Sequence, residues 1–107
     1  MVNIAEIASY LRSRLSAGGI EVRKLIMFGS SSDGNVSPDS DIDFALVSPS
    51  FESKDLYERA EMTAEAVAES IWKFNVPIDL IPLTPEEYSN KDNLVTVSLE
   101  NAVTLNY

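Results

Sequence analysis

The chain has 107 residues, of which 45% are apolar, and its net charge is −9. These values indicate one small globular domain, and such an acidic chain is a poor sole partner for free nucleic acid. Because histidine and cysteine are both absent, histidine acid–base catalysis, Ser-His-Asp triads, disulfides and thiolate chemistry are excluded. No apolar run is as long as a membrane span and no secretory signal opens the sequence, so we expect a cytoplasmic protein without a membrane partner.

The first half of the chain predicts a helix, two strands and a polar loop. Residues 3–16 place apolar side chains at helical spacing and are followed by two glycines. Residues 22–28 are mostly apolar and predict a buried strand. Residues 29–40 are rich in Ser, Gly, Asp and Pro, which is typical of a loop, and residues 41–47 alternate as a second strand.

Residues 53–74 predict a long amphipathic helix. Four glutamates and a lysine occupy its solvated side. Tyr57 and Trp72 on this helix are interpreted as core or interface residues rather than as a platform for a base. The stripe expected to face the core consists of Leu56, Ala60, Thr63, Val67, Ile71 and Phe74.

The last third predicts a strand and a short helix. Residues 76–83 form the strand, and Pro77 and Pro82 favour a position at the edge of a sheet because proline cannot donate a ladder bond. Thr84 and the Pro and Glu residues after it predict a capped helix start. For residues 94–107 we expect a short helix to about residue 101 and then an extended end. The whole chain, residues 1–107, is therefore expected to be a single α/β (α+β) domain in which helices pack on a small mixed sheet.

Three acidic residues stand inside the predicted strands. Asp41 and Asp43 share one face of the second strand, and Asp79 lies in the third. If these strands are neighbours, the three carboxylates can converge on one spot. Carboxylate oxygens are the ligands that Mg²⁺ takes in proteins, and a pair of metal ions can clamp the oxygens of a phosphoryl or nucleotidyl transfer.

Gly29 and Ser30 follow the first buried strand directly. Glycine lets a backbone approach a phosphate closely, and successive N–H groups there can bind an anion. Taken alone, either this pair or the Asp-x-Asp pair is a weak signal. Their combination, with ten residues between Ser30 and Asp41, is much more specific.

This combination resembles the signature of the polymerase-β-like nucleotidyltransferase superfamily. Gly34 and the run Pro38-Asp39-Ser40 are similar to the pattern of the minimal nucleotidyltransferases, which include the MntA-type antitoxins. Asp79, within VPIDLIPLT, looks like the third carboxylate of that family. The resemblance covers nearly the whole chain and is most specific between residues 28 and 47.

The resemblance implies a function and a set of roles. Asp41, Asp43 and Asp79 would be the catalytic residues and the ligands of two Mg²⁺ ions, and Asp79 would complete one metal site or act as base. Gly29 and Ser30 would hold the phosphates of a nucleoside triphosphate, with ATP as the expected substrate. Minimal nucleotidyltransferases are similar to antitoxins that pair with HEPN-type toxins, so the expected reaction is transfer of AMP to a hydroxyl of such a partner.

The sequence departs from the family pattern at one position and leaves other readings open. Many minimal nucleotidyltransferases have an arginine after the Gly-Ser pair, whereas this chain has Ser31; Lys24 and Arg23 lie at the far end of the first strand. The open alternatives are an antitoxin that binds without chemistry and an adenylyltransferase for a small molecule such as an aminoglycoside. A homo-oligomer that builds a cleft between subunits also stays open.

Overall fold

The computed structural model describes residues 2–28, 35–36, 41–90 and 104–106. Residues 94–101, expected to form a helix, lie outside this range. The helices and strands are, in chain order, β1 (Val2–Asn3), α1 (Ile4–Ala17), β2 (Lys24–Phe28), β3 (Asn35–Val36), β4 (Ile42–Val47), α2 (Leu56–Phe74), β5 (Ile78–Leu83), α3 (Pro85–Ser89) and β6 (Thr104–Asn106), with a 3-10 turn at Pro49–Phe51.

Four of the described strands form a mixed sheet in the order β5-β4-β2-β6, and β1 pairs separately with β3. β2 is antiparallel to both β4 and β6, whereas β4 and β5 run parallel. Parallel neighbours need a crossover connection, and α2 supplies it. The mixed sheet, the crossover helix, the edge position of β5 and the extended end at residues 104–106 are therefore confirmed. In the part of the chain that the structure describes, no helix has the length and apolar character needed to cross a bilayer.

The first helix forms as its pattern predicts. The Asn3 side chain caps it by accepting a hydrogen bond from the Ala5 backbone N–H at 2.8 Å. The helix ends at Gly18, and the next residue, Gly19, has a φ of 90°, which glycine adopts without strain. All of its predicted core residues are buried: Ile4, Ile7, Ala8, Leu11 and Leu15.

The two faces of the sheet differ in how they are covered. Alternation places Ile42, Phe44 and Leu46 of β4 in the main core together with the buried face of α1. On the opposite face, a smaller cluster contains Ala45 and Leu83. Asp43 alternates onto that second face, so it lies on the side of the sheet away from the main core.

The long helix is rolled relative to its predicted orientation. Its buried residues are Arg59, Thr63, Ala66 and Ser70. The predicted core stripe is therefore wrong in part: Leu56, at one end of that stripe, is 73% exposed. Ala66 and Ser70 are small enough to pack closely and Arg59 finds acceptors in the interior, so this line of residues is the most buried. The remaining apolar residues of the predicted stripe, Val67, Ile71 and Phe74, are partly buried and pack against the core.

A cluster around the buried Arg59, here called the Arg59 cluster, joins α2, β5 and α3. The guanidinium donates to the Lys54 carbonyl at 2.9 Å, to the Pro82 carbonyl at 3.3 Å and to Glu87 Oε1 at 2.6 Å. The same Glu87 oxygen accepts a hydrogen bond from the Thr84 backbone N–H at 2.8 Å, which completes the predicted capping box of α3. Burial raises the pKa of Glu87, but the hydrogen bond and charge of Arg59 and the bond from Thr84 outweigh it and hold that pKa below its usual range.

Candidate functional site

Two of the three predicted acids face each other across neighbouring strands. In the parallel pairing of β4 with β5, Asp43 is the register partner of Asp79. Neighbouring strands lie about 4.8 Å apart, so the two side chains leave the sheet next to each other and on the same face. Asp41 comes just before β4 and is exposed. The structure thus brings the three acids to one end of one sheet face, and their role in chemistry stays a prediction.

The acids influence one another electrostatically. Burial raises the pKa of the Asp43 carboxyl above its usual range, and the negative charges of Asp79 and then Asp41 raise it further. Each of these effects disfavours the charged form of Asp43. A cation placed beside the carboxylates would reverse this balance, because it favours the ionised form.

A metal ion at this site would need oxygen ligands from the neighbouring acidic side chains. Within the described residues, no group of three acidic side chains lies close enough together to hold an ion as it stands. Charges interact over longer distances than metal–oxygen bonds, so Asp79 and Asp41 can raise the pKa of Asp43 without lying close enough to bind one ion together. Asp43 and Asp79 supply two carboxylates, and Mg²⁺ usually takes one or two from the protein beside substrate phosphates and waters.

For the phosphate-binding half of the predicted site, the structure describes only the strand that leads into it. β2 ends at Phe28, whose register partner in β4 is Asp43. Gly29 and Ser30 come next in sequence and lie outside the described residues, as does Ser31. In sequence they follow the strand end nearest the acids, and their role stays a prediction.

Neither of the nearby basic residues can replace the missing arginine. Lys24 pairs with Val47 at the other end of β2, four residues from Phe28, which is about 13 Å along a strand. Its ammonium lies over the ring of Tyr88, 5.2 Å from the centroid. Arg23 is bound to Glu21 at 2.8 Å.

Sequence reasoning missed two features of the molecule. Arg59 is buried although charged residues of an amphipathic helix normally face water, and its position four residues before the buried Thr63 was the available signal. The second is an apolar strip that α2 leaves exposed. The sequence marked its residues as apolar, but only the packing of the helix shows which of them are exposed, namely Leu56, Ala60, Ala64 and Ala68, and which are partly buried against the core, namely Val67 and Ile71.

Two solved structures share the fold. A protein of Sulfolobus solfataricus, proposed to be a nucleotidyltransferase, superimposes with a TM-score of 0.58 at 19% identity, over 78% of this chain and 69% of its own. A Bol-like protein of Babesia bovis superimposes with a TM-score of 0.56 at 24% identity, over 86% of this chain and 95% of its own. At such identities these likenesses show the fold alone, and the different names of the two proteins illustrate that this fold does not decide function.

Sequence comparison is more specific than the fold. No protein of curated function matches the chain. The sequence profile of the nucleotidyltransferase domain, by contrast, matches residues 4–103, which is nearly the whole chain. The matched region includes the Gly29-Ser30 pair, Asp41, Asp43 and Asp79. The chain belongs to the nucleotidyltransferase domain family.

Proposed function

We propose that this protein transfers AMP from Mg-ATP to a hydroxyl group of a partner protein, with a HEPN-type toxin as the expected acceptor. The hydroxyl oxygen bonds to the α-phosphorus of ATP, the α–β phosphoanhydride bond breaks, and pyrophosphate leaves. The observation that carries the proposal is the register of β4 with β5, which sets Asp43 beside Asp79. Among the described residues no cation pairs with either acid, so their mutual repulsion costs stability without a structural benefit. A bound Mg²⁺ ion would offset that repulsion.

Asp43 and Asp79 would hold Mg²⁺, with Asp41 as a further ligand. Bound Mg²⁺ would neutralise charge on the nucleotide phosphates and stabilise the attacking and leaving oxygens. The half-buried position of Asp43 reduces competition from water around its carboxylate. The exposed Asp79 is accessible to an acceptor hydroxyl and would take its proton.

Gly29 and Ser30 would hold the triphosphate through backbone N–H groups and the serine hydroxyl. Because Ser31 stands where many relatives have arginine, and Lys24 is bound at the other end of β2, this chain would bind nucleotide with fewer cations than such relatives. Mg²⁺ and the partner would supply the missing positive charge.

The single experiment that tests this proposal is a transfer assay with labelled ATP, Mg²⁺ and a HEPN-type protein, taken from the neighbouring reading frame where that frame encodes one. We expect label on the partner, and none when EDTA is present or when Asp41 and Asp43 are both changed to asparagine. If the double variant still neutralises the partner, the protein acts by binding without chemistry. If label moves to an aminoglycoside but not to the partner, the acceptor is a small molecule.

A further inference from the structure

A groove of about 450 Å³ runs along α2 beside the edge strand β5. Its α2 wall consists of apolar side chains, namely Leu56, Ala60, Ala64, Val67, Ala68 and Ile71. On the other side lie residues of β5, among them Asp79. The groove therefore reaches the edge of the candidate catalytic site.

The apolar surface continues past the groove. A second hollow of about 420 Å³ shares Ala68 and Ile71 with it and extends to Trp72. Among the described residues, Trp72 is 90% exposed, Tyr57 75% and Leu56 73%. Large side chains this exposed along one helix are typical of an interaction surface. Here the groove and this hollow together are called the α2 groove, which at a rise of 1.5 Å per residue is roughly 24 Å long.

The charge around the α2 groove is negative. Asp79 lies on its β5 side. Glu61 and Glu65 are exposed on α2, one turn apart, and follow the apolar strip on its solvent side. No lysine or arginine of the described chain lines either part of the groove. A partner that buries the apolar strip without bringing acid against acid must carry basic residues along its flanks.

The shape favours a helix over an added strand. The exposed alanines Ala60, Ala64 and Ala68 recur every fourth residue and leave a shallow channel into which the ridge of another helix can pack. Pro82 removes one N–H from β5, and Pro77 precedes it, so this edge is a poor template for strand addition. A second copy of the chain is disfavoured because each copy carries a net charge of −9 and the same acidic rim.

We infer that the α2 groove docks a basic amphipathic helix of a partner protein. The inference rests on the proposed function and deepens it by placing the partner along the edge strand that carries Asp79. Binding at this surface requires neither nucleotide nor metal, so it can be measured separately from transfer.

The test uses two synthetic helical peptides without tryptophan that carry the same leucine stripe, one with Lys and Arg on its other positions and the other with Glu. Trp72 is the single tryptophan of the chain and serves as the fluorescence reporter. We expect the basic peptide to shift Trp72 emission to shorter wavelength with saturation, at least about 10-fold tighter than the acidic peptide, and to bind more weakly at high salt.

Matched variants locate the binding surface. Ala68→Gln places a longer, uncharged side chain in both parts of the groove with little change in helix propensity, and Ser16→Gln does the same on the exposed side of α1. We expect Ala68→Gln to weaken binding of the basic peptide at least about 10-fold and Ser16→Gln to leave it unchanged.

Equal binding of both peptides, or unchanged binding to Ala68→Gln, would overturn the inference. Sedimentation that shows a dimer broken by Ala68→Gln would assign the groove to a second copy and also overturn it. If the protein binds the basic peptide but transfers no nucleotide to the partner, the proposed function is rejected and this inference stands.

Discussion

The acidic residues at the two ends of the β4–β5 strand pair lie in opposite electrostatic environments. At one end, Asp43 stands beside Asp79, and the neighbouring negative charges together with burial raise the pKa of Asp43. Beyond the other end, Glu87 is held by Arg59 at 2.6 Å, and its pKa is lowered. Among the described residues no cation offsets the charge of Asp43, whereas Arg59 offsets the charge of Glu87.

Within this small sheet, the residues that stabilise the fold and the residues proposed for catalysis therefore lie at opposite ends. The Arg59 cluster fixes α3 and the crossover helix to β5, the strand that carries Asp79. The acids at the opposite end reduce stability in the absence of a cation. In the proposed mechanism, the contacts that stabilise the fold lie at one end of the strand pair and the chemistry takes place at the other.

The largest effect is expected from Asp43→Asn. Losing even an outer-shell partner of a metal ligand typically costs 10–100-fold, so losing a proposed ligand should reduce nucleotidyl transfer by at least about 100-fold. The same change should raise the melting temperature in EDTA, because it removes a partly buried charge that repels two others. Transfer of labelled nucleotide and thermal melting measure the two effects. Glu52→Gln, at another exposed acid, should change neither; a lower melting temperature for Asp43→Asn would show that the acids do not repel each other.

Arg59→Met should give the largest loss of stability at the other end. The guanidinium is buried, and its removal leaves the Lys54 and Pro82 carbonyls and the Glu87 carboxylate without this donor. Breaking a buried pair costs 3–5 kcal/mol, and the partial exposure of Glu87 reduces this, so we expect a fall of about 2–3 kcal/mol in the free energy of unfolding. Denaturant titration measures it. A fall no greater than that of an exposed helix substitution would mean that the cluster does not hold α2 to β5.

Glu87→Gln should have a smaller effect that depends on pH. Because the pKa of Glu87 is lowered on folding, its ionised form stabilises the protein above the ordinary value of 4.5, and this contribution is lost as pH falls through the folded pKa. We expect the variant to lose at most about 1 kcal/mol at pH 7 and to show a flatter decline in stability below pH 4.5. Denaturation at several pH values tests this, and parallel curves for variant and parent would contradict it.

Lys24→Ala should have the smallest effect and serves to separate the two ends. Its ammonium contacts the Tyr88 ring, so stability should fall by about 0.5–1 kcal/mol. Because Lys24 lies at the end of β2 away from Asp43, nucleotide affinity should not change. Titration with a fluorescent ATP analogue measures that affinity. A loss of several-fold would show that Lys24 does take part in phosphate binding.

The sequence by itself determined the elements that depend on local patterns. The apolar spacing of α1, the prolines that mark β5 as an edge strand and the capping box at Thr84 each act through neighbouring residues, and the structure agrees with all three. Asp43 and Asp79 could be proposed as a pair because alternation assigns each to one face of its strand.

Only the tertiary structure decided how these elements meet. The register that sets Asp43 against Asp79 comes from hydrogen bonds between strands 36 residues apart in sequence, which no local pattern encodes. The roll of α2 was mispredicted because periodicity finds the most apolar side of a helix, whereas burial depends on fit. Arg59 could enter the interior because oxygen atoms from three separate segments surround it, and that placement leaves Trp72 and the apolar strip of α2 facing outward.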